Sequence, residues 1–247
     1  MGTKSKRGRI RWCPHRQPLG GHHVPLQGPT DLCRCCQARF VYDDALPASR
    51  FWCGPCKPDL LRLDLACGQH KADGHTGVDR IALPGVDVVH DLGRYPWPFK
   101  DESAEAIRVS HYVEHIPMAE DLEGVDLLIK FMNECYRLLI VGGRMHVIAP
   151  WWASARSWQD PTHRRAISDA SFLYYNRDWR EANGLDHYPI TADFDFFPNY
   201  QVEQTLGGRN TETQQFWMKH YVNVIQDITV LLVKRPPRPP KSQEPKK

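Results

Sequence analysis

The chain has 247 residues, of which 41% are hydrophobic and 25% are charged, a composition typical of a folded protein and not of a disordered or fibrous one. Its longest apolar stretch, Leu127–Val141, is interrupted by charged residues, which excludes a membrane span there. The basic N-terminus is followed by no apolar segment, so it does not have the pattern of a secretory signal. Because the cysteines are spaced for a metal and not for disulfides, we expect a cytoplasmic protein without membrane partners.

Charge is distributed unevenly along the chain. Residues 1–12 carry five basic side chains and no acidic one, and residues 234–247 carry six basic side chains and one acidic one. Residues 59–233 have instead a net charge of −9. Because an acidic surface does not attract a polyanion, nucleic acid is a candidate partner only through the basic tails and the cysteine-containing segment 13–58. The alternative is that the tails only keep the ends of the chain solvated.

Composition divides the chain into four segments. Residues 235–247 contain several prolines and no apolar residue to bury, and residues 1–12 are similarly without pattern, so both are predicted to be disordered. Cysteine, proline and histidine dominate residues 13–58, whereas strand and helix patterns occupy residues 59–234. We therefore predict a small N-terminal module followed by one larger domain.

Short apolar segments alternate with loops and one long amphipathic segment in the larger domain. The apolar segments predict strands over Leu61–Ala66, Thr76–Asp79, Val86–His90, Ala106–Ser110, Arg144–Ala149 and Ile228–Val233. A helix is predicted over Glu120–Leu139, with acidic residues in its first turn and Gly142–Gly143 at its end. This alternation predicts an α/β domain with a mostly parallel sheet and a ligand crevice at the carboxyl ends of the strands.

Four cysteines of the N-terminal module have the spacing of a zinc site. Cys33 and Cys36 form one C-x-x-C pair, and Cys53 and Cys56 form a second one. Each such turn points two thiolates at one centre, so two pairs complete a tetrahedron around Zn²⁺. The metal would also supply folding free energy to a segment that is too small for a hydrophobic core. A small zinc ribbon is therefore predicted, with a structural Zn²⁺ as its cofactor.

We expect the variant Cys53→Ser to lose about one zinc ion per chain relative to the wild-type protein, because a structural site of this kind needs all four thiolates. Elemental analysis of the two purified proteins measures the difference. Equal zinc contents would contradict the assignment. The neighbouring Cys35 is a competing ligand for the place of Cys33 or Cys36.

A second signal lies at the start of the larger domain. The first predicted strand runs into the small residues Ala66, Cys67 and Gly68, and Asp79 ends the following strand. Small residues let the backbone approach a ligand closely, and an acid at the end of the next strand accepts hydrogen bonds from both hydroxyls of a ribose. These residues favour a nucleotide-like cofactor, and on this pattern alone NAD is a real alternative.

The motifs that follow narrow the choice. Residues 61–149 resemble the class I, Rossmann-like methyltransferases that depend on S-adenosylmethionine (SAM), in the segments Leu63–Gly68, Gly77–Asp79, His90–Asp101, Ser110–Ile116 and Arg137–Arg144. Three later segments are similar to an uncharacterised subgroup common in bacteria and phages, namely Pro150–Trp152, Gln159–Arg164 and Leu185–Tyr188. The resemblance extends over residues 61–234. It implies a Rossmann-like fold, SAM as cofactor, and the cytoplasm of a bacterium or a phage-infected host cell.

The resemblance also implies which residues contact SAM. They are Asp64, Ala66, Cys67, Gly68, Asp79, Arg80, Asp91, Leu92 and His111. Asp79 would bind the ribose, and Asp91 would lie near the adenine amine. Ala66 and His70 stand where the family usually has glycine, and the eight residues between Gly68 and Gly77 are too few for the usual first helix. We therefore predict a sheet with a shortened N-terminal half.

Polar residues after the fourth and fifth strands are the candidates for the chemistry. His163, Asp160 and His115 are assigned catalytic roles, since a positioned base helps when the methyl acceptor must lose a proton. The residues assigned to binding of the acceptor are Arg164, His187 and Tyr188. The alternatives are that Asp160 and Pro161 only form a turn and that His115 makes a structural hydrogen bond.

The sequence thus predicts a SAM-dependent methyltransferase with an N-terminal zinc ribbon and an unidentified acceptor. One alternative is a non-enzymatic adaptor that binds nucleic acid or protein through the zinc ribbon and has a degenerate Rossmann-like domain. The other is an NAD-type oxidoreductase, which the order of the motifs disfavours. Methylation of DNA bases at an amino group is also disfavoured, because Ser110–Val113 lacks the Asn/Asp-Pro-Pro-aromatic tetrapeptide of those enzymes.

Overall fold

The computed structural model describes residues 60–204 and 208–237. The chain divides after Leu60, and nearly all of the described residues belong to the second unit, Leu61–Lys247. The predicted zinc ribbon with its four cysteines, the basic N-terminus and most of the C-terminal tail lie outside the described residues. Among the helices of the described ranges, none is both long and apolar enough to cross a membrane.

The described part of the chain contains seven strands and four α-helices. The strands are β1 (Leu61–Leu65), β2 (Thr76–Asp79), β3 (Val88–Val89), β4 (Ala104–Ser110), β5 (Leu139–Pro150), β6 (Phe194–Val202) and β7 (Ile225–Lys234). The helices are α1 (Leu127–Leu138), α2 (Arg156–Gln159), α3 (Arg177–Ala182) and α4 (Thr211–His220). Two 3₁₀ segments, Val113–His115 and Asp169–Tyr175, follow β4 and α2.

All seven strands form one sheet with the order β3-β2-β1-β4-β5-β7-β6. The first five strands are parallel, whereas β7 is antiparallel to both of its neighbours, β5 and β6. The prediction of an α/β domain with a mostly parallel sheet is therefore confirmed. The order of β1 to β5 is that of doubly wound nucleotide-binding sheets, but the place next to β5 is taken by an antiparallel strand.

The main core lies between α1 and the sheet. The helix contributes the completely buried side chains of Phe131 and Leu138, and the central strands contribute Leu63, Ile107 and Met145. The apolar residues of β1 and β4 are interrupted by charged ones, and both strands were predicted from these short apolar segments.

Helix α1 is shorter than the predicted helix Glu120–Leu139. Its N-cap is Asp126, whose carboxylate accepts a hydrogen bond from the N–H of Leu128 at 2.8 Å, so the acidic residues expected in the first turn lie before the helix. The helix passes directly into β5 at Leu139, and the two glycines that were expected to end it lie inside that strand. The β-branched residues Ile140 and Val141 favour the strand at this point.

In the described chain, the connections that follow the first three strands contain no helix. Residues 66–75, 80–87 and 90–103 form turns and loops, which matches the predicted shortening of the N-terminal half. A buried acid, Asp64, holds the first of these loops in place by hydrogen bonds. Asp64 is completely buried and accepts hydrogen bonds from the N–H of Ala72 at 2.7 Å and from Arg108 Nη1 at 3.0 and 3.1 Å.

Gly77 in β2 is a tightly packed position beneath this loop. A Cβ atom there would lie 2.7 Å from the carbonyl oxygen of Gly85 and 2.8 Å from Sγ of Cys67. Because the close backbone oxygen cannot rotate away, we expect Gly77→Ala to lower the free energy of unfolding by about 1–3 kcal/mol. Urea unfolding measures the change. The control is Gly208→Ala, which has nothing within 4 Å and is expected to stay within about 0.5 kcal/mol of the wild type; equal loss in both variants would contradict the prediction.

Candidate active site

The carboxyl ends of β1, β2 and β4 meet at one edge of the sheet. At two of these ends the backbone is left-handed, with φ of 55° at Ala66 and 52° at His111. This conformation is uncommon for residues other than glycine, and strain of this kind clusters at ligand-binding sites. The backbone therefore singles out this edge as a candidate site, in agreement with the place where open α/β sheets bind ligands.

Asp79 lies at the end of β2 and is partly exposed. Its Oδ2 atom accepts a hydrogen bond from the N–H of Gly68 and its Oδ1 atom accepts one from the N–H of Ile81, each at 3.0 Å. The carboxylate thus ties the end of β2 to the loop after β1. Each carboxylate oxygen has a second lone pair, so Asp79 can still accept hydrogen bonds from two hydroxyl groups of a ligand.

Tyr112, which follows β4, lies close enough to the predicted cofactor residues Asp79, Arg80 and Asp91 for their charges to act on its hydroxyl group. Burial raises the pKa of Tyr112 to about 12, and the nearby Asp91 and Asp79 contribute in the same direction against Arg80. Arg80 and Asp91 are exposed, whereas Leu92 is buried. Sequence reasoning did not include Tyr112 in the site, although its position directly after the predicted His111 was a signal.

Two of the residues that were assigned to the cofactor lie below the surface of the edge. Asp64 is completely buried and both of its carboxylate oxygens are bonded within the protein, so this residue positions the loop after β1 and is not accessible to a ligand. Cys67 is 7% exposed, and burial raises the pKa of its thiol. Of the predicted cofactor residues in this loop, Ala66 and Gly68 are partly exposed.

The segment that follows β4 places the carboxylate of Glu114 close to the imidazoles of His111 and His115. Nδ1 of the exposed His111 lies 3.3 Å from Oε1 of Glu114, and this contact raises the pKa of His111 above its ordinary value. Glu114 is completely buried, and neither of its carboxylate oxygens has a donor in hydrogen-bonding geometry among the described residues. Sequence reasoning missed Glu114, although it lies between the predicted His111 and His115.

The structure brings the three predicted catalytic residues together. The rings of His115 and His163 are edge to face, with their centroids 4.7 Å apart. Oγ1 of Thr162 lies 3.0 Å from Nδ1 of His115 and donates a hydrogen bond to Oδ1 of Asp160 at 2.7 Å. Oδ2 of Asp160 lies 3.9 Å from Nε2 of His163. The other ring nitrogen of His163, Nδ1, lies 3.0 Å from the carbonyl oxygen of Ser157.

Backbone hydrogen bonds hold the loop Gln159–Arg165 at the end of β4. The N–H groups of Arg164 and Arg165 both donate to the carbonyl oxygen of Glu114, at 2.7 and 3.1 Å. The guanidinium group of Arg165 is bonded to the carbonyl oxygens of Ile116 and Pro117 and to the carboxylate of Asp126. Arg165 is therefore a brace of the loop, whereas Arg164 is exposed and can contact a ligand.

His187 and Tyr188 belong to a different group of side chains. The ring of Tyr188 packs against His187 at 4.7 Å and against Tyr174 at 5.7 Å. In residues 60–204 and 208–237, no hydrogen bond or ring contact joins either of them to His115 or His163. Their assignment to the acceptor stays a prediction without a supporting contact.

No protein-family model matches the chain, and no curated protein matches its sequence. The solved structures to which the chain is similar include a SAM-dependent methyltransferase from Archaeoglobus fulgidus, at 18% identity and a TM-score of 0.48 over 71% of this chain and 87% of that one. Another, from Methanosarcina mazei, has 12% identity and a TM-score of 0.42 over 70% and 92%. A third is phosphoethanolamine N-methyltransferase 2 of Haemonchus contortus in complex with SAM, at 14% identity and a TM-score of 0.36 over 76% and 51%. At these values the likenesses assign no family to the chain, whose chemistry must be inferred from its own residues.

Proposed function

We propose that residues 61–234 transfer a methyl group from SAM to an acceptor that is bound by the loop Gln159–Arg165. The observation that carries this proposal is the chemistry of the carboxyl edge. Its accessible acids Asp79 and Asp91 suit a ligand with a ribose, an adenine amine and a positive sulfonium, and residues 66–75 contain no helix whose N-terminus would favour a phosphate.

The lack of a helix in residues 66–75 also disfavours NAD as the cofactor. Dinucleotides place their pyrophosphate on the N-terminus of the helix that follows β1, where backbone N–H groups and the helix dipole compensate the charge. Here turns join β1 to β2, and the N–H group of Gly68 in this loop already donates to Asp79. The antiparallel β7 also departs from the strand order of dinucleotide-binding sheets.

The side chains and backbone at the carboxyl edge suit the chemical groups of SAM. When bound, SAM supplies a methyl group that is activated by its attachment to a positive sulfur. Asp79 would accept hydrogen bonds from the two ribose hydroxyls, Asp91 would face the adenine amine, and the backbone at Ala66 and Gly68 would line the remainder of the site. His111 lies at the boundary between this side and the acceptor side, because its imidazole contacts Glu114. Arg80 and Leu92 stay in the proposed cofactor site.

The acceptor side consists of His115, Asp160, His163 and Arg164. Alignment of the accepting atom with the methyl group contributes most to such a reaction. Since Nδ1 of His163 is held by a carbonyl oxygen, Nε2 has the free lone pair and can accept a proton from the acceptor. Arg164 would bind an anionic group of the acceptor.

One observation favours a second candidate function, a non-enzymatic adaptor. The missing first helix removes part of the surface that a cofactor would contact. In that case the predicted zinc ribbon and the basic tails would carry the function by binding nucleic acid or protein. For the enzyme, we propose that the same segments help to recruit the acceptor.

Transfer of a labelled methyl group from SAM into a fractionated bacterial lysate tests the proposal. We expect one fraction to take up the label with the wild-type protein and with Asp73→Ala, whose exposed side chain lies in the same loop, but not with Asp79→Ala. Labelling that is absent from every fraction would favour the adaptor, whereas equal labelling with Asp79→Ala would contradict the role of Asp79 in binding SAM.

A further inference from the structure

We infer that Glu114, His115 and His163 bind a divalent transition-metal ion. One ligand atom from each of these residues lies within 4.8 Å of the other two. Two imidazoles and one carboxylate form the ligand set of metal sites that keep an open coordination position, with Zn²⁺ and Fe²⁺ among the ions they hold. This site goes beyond the proposed methyl transfer, and its test does not depend on that function. Because the site uses the Nε2 lone pair of His163, this imidazole can accept a proton only while no ion is bound.

The first support is the environment of the Glu114 carboxylate. The side chain is completely buried, and no described residue donates a hydrogen bond to either oxygen. The nearest basic group is Nδ1 of His111 at 3.3 Å. A buried carboxylate that stays ionised must be paired, hydrogen-bonded or coordinated to a metal. Among the described residues its ion pair is with the exposed His111 alone, and a cation bound between Glu114, His115 and His163 would give it a second partner.

The second support is the protonation that the neighbours impose on the two imidazoles. The carbonyl oxygen of Ser157 can only accept a hydrogen bond, so Nδ1 of His163 carries a hydrogen. The hydroxyl hydrogen of Thr162 is donated to Asp160, so its oxygen accepts from Nδ1 of His115. In both histidines Nε2 therefore has a free lone pair, which is the form that binds metal.

These outer hydrogen bonds have the form that is found around metal-binding histidines. Such a histidine usually donates its second N–H to a carbonyl, a carboxylate or water, which fixes the ring and raises the basicity of the coordinating nitrogen. His163 has a carbonyl partner, and His115 is linked through Thr162 to the carboxylate of Asp160. Oδ2 of Asp160, 3.9 Å from Nε2 of His163, is a candidate for a fourth ligand.

The backbone keeps the ligands in place. The carbonyl oxygen of Glu114 accepts hydrogen bonds from the N–H groups of Arg164 and Arg165, so the loop that provides His163 is tied to the residue that provides the carboxylate. Ligand atoms that bind one ion at about 2.0–2.2 Å in a tetrahedral site lie about 3.4 Å apart, so binding requires these side chains to move closer together than the observed limit of 4.8 Å.

Zinc content tests the inference, with Zn²⁺ alone as the probe. Wild type, Glu114→Gln, His163→Ala and the control His220→Ala are equilibrated with Zn²⁺, freed of unbound metal and analysed for zinc per chain. We expect the first two variants to hold one ion fewer than the wild type and His220→Ala, whose imidazole is exposed on α4, to hold the same number. Affinity at this site should fall at least about 100-fold, because loss of even an outer partner costs 10- to 100-fold.

The difference between the proteins is the readout, because the cysteines of residues 13–58 are predicted to hold a zinc ion of their own. Equal zinc content in all four proteins overturns the inference. Should Glu114→Gln fail to fold, which circular dichroism shows, His163→Asn takes its place.

Thermal unfolding provides an independent test. If Glu114→Gln is more stable than the wild type in excess Zn²⁺, the carboxylate has no ion to bind and the inference is overturned. Zinc is measured without SAM, so failure of this inference and failure of the proposed function are distinguishable.

Discussion

Asp79→Ala is expected to bind SAM and its product S-adenosylhomocysteine about 30- to 1,000-fold more weakly than the wild-type protein. Two charge-assisted hydrogen bonds to the ribose would be lost, which corresponds to about 2–4 kcal/mol. The structure adds a second cause, because the carboxylate also holds the N–H groups of Gly68 and Ile81 at 3.0 Å. Without it, the loop after β1 loses an anchor at the place where the cofactor would bind. Isothermal titration calorimetry with S-adenosylhomocysteine measures the change.

Asp73→Ala is the matched control for this experiment. Asp73 is an acid in the same loop, its side chain is exposed, and it follows Ala72, the residue whose N–H is bonded to Asp64. Because only the side chain is removed, affinity should stay within about twofold of the wild type. An unchanged affinity in Asp79→Ala, or an equal loss in both variants, would show that Asp79 does not bind the ribose.

His163→Ala is expected to lower the rate of methyl transfer about 100-fold while leaving the affinity for SAM nearly unchanged. The rate effect is of the size typical for a positioned acid–base group. The imidazole is held by Ser157 and contacts His115 and Asp160, and none of these lies on the β1–β2 side of the edge, where the cofactor is proposed to bind. The rate is measured as single-turnover transfer of the labelled methyl group from SAM to the lysate fraction that accepts it. The affinity is measured by calorimetry with SAM.

His220→Ala serves as the control for His163→Ala, since it removes an exposed imidazole from α4. It should change neither the rate nor the affinity. Weakened SAM binding in His163→Ala, with turnover intact at saturating SAM, would contradict the assignment. That result would place the loop Gln159–Arg165 in the cofactor site.

The strands that the sequence predicted best are those of the buried parallel part of the sheet. β2 has the predicted bounds, and β1 differs by one residue, because their apolar runs end in small or charged residues. β6 was missed, since it is an edge strand that contains Pro198 and exposed polar residues, and it pairs only with β7. Helix α4 was also missed. It buries none of its residues, so it has no apolar periodicity.

The candidate site was predicted in part for a similar reason. His115, Asp160 and His163 could be placed together because they follow neighbouring parallel strands, whose carboxyl ends meet at one edge. The burial of Glu114 could not be predicted, because it depends on the loop that folds back over it. The inward position of Asp64 depends on the register of β1 against β4, which sets Asp64 opposite Arg108. Neither fact is contained in the local pattern of residues.

The most direct measurement of the central claim is the binding of S-adenosylhomocysteine and of NAD to the wild-type protein, followed side by side by calorimetry. The acids at the carboxyl edge and the turns in place of a helix after β1 predict a saturable heat with S-adenosylhomocysteine, at one molecule per chain, and no heat with NAD. A saturable heat with NAD, and none with S-adenosylhomocysteine, would contradict the proposed methyl transfer.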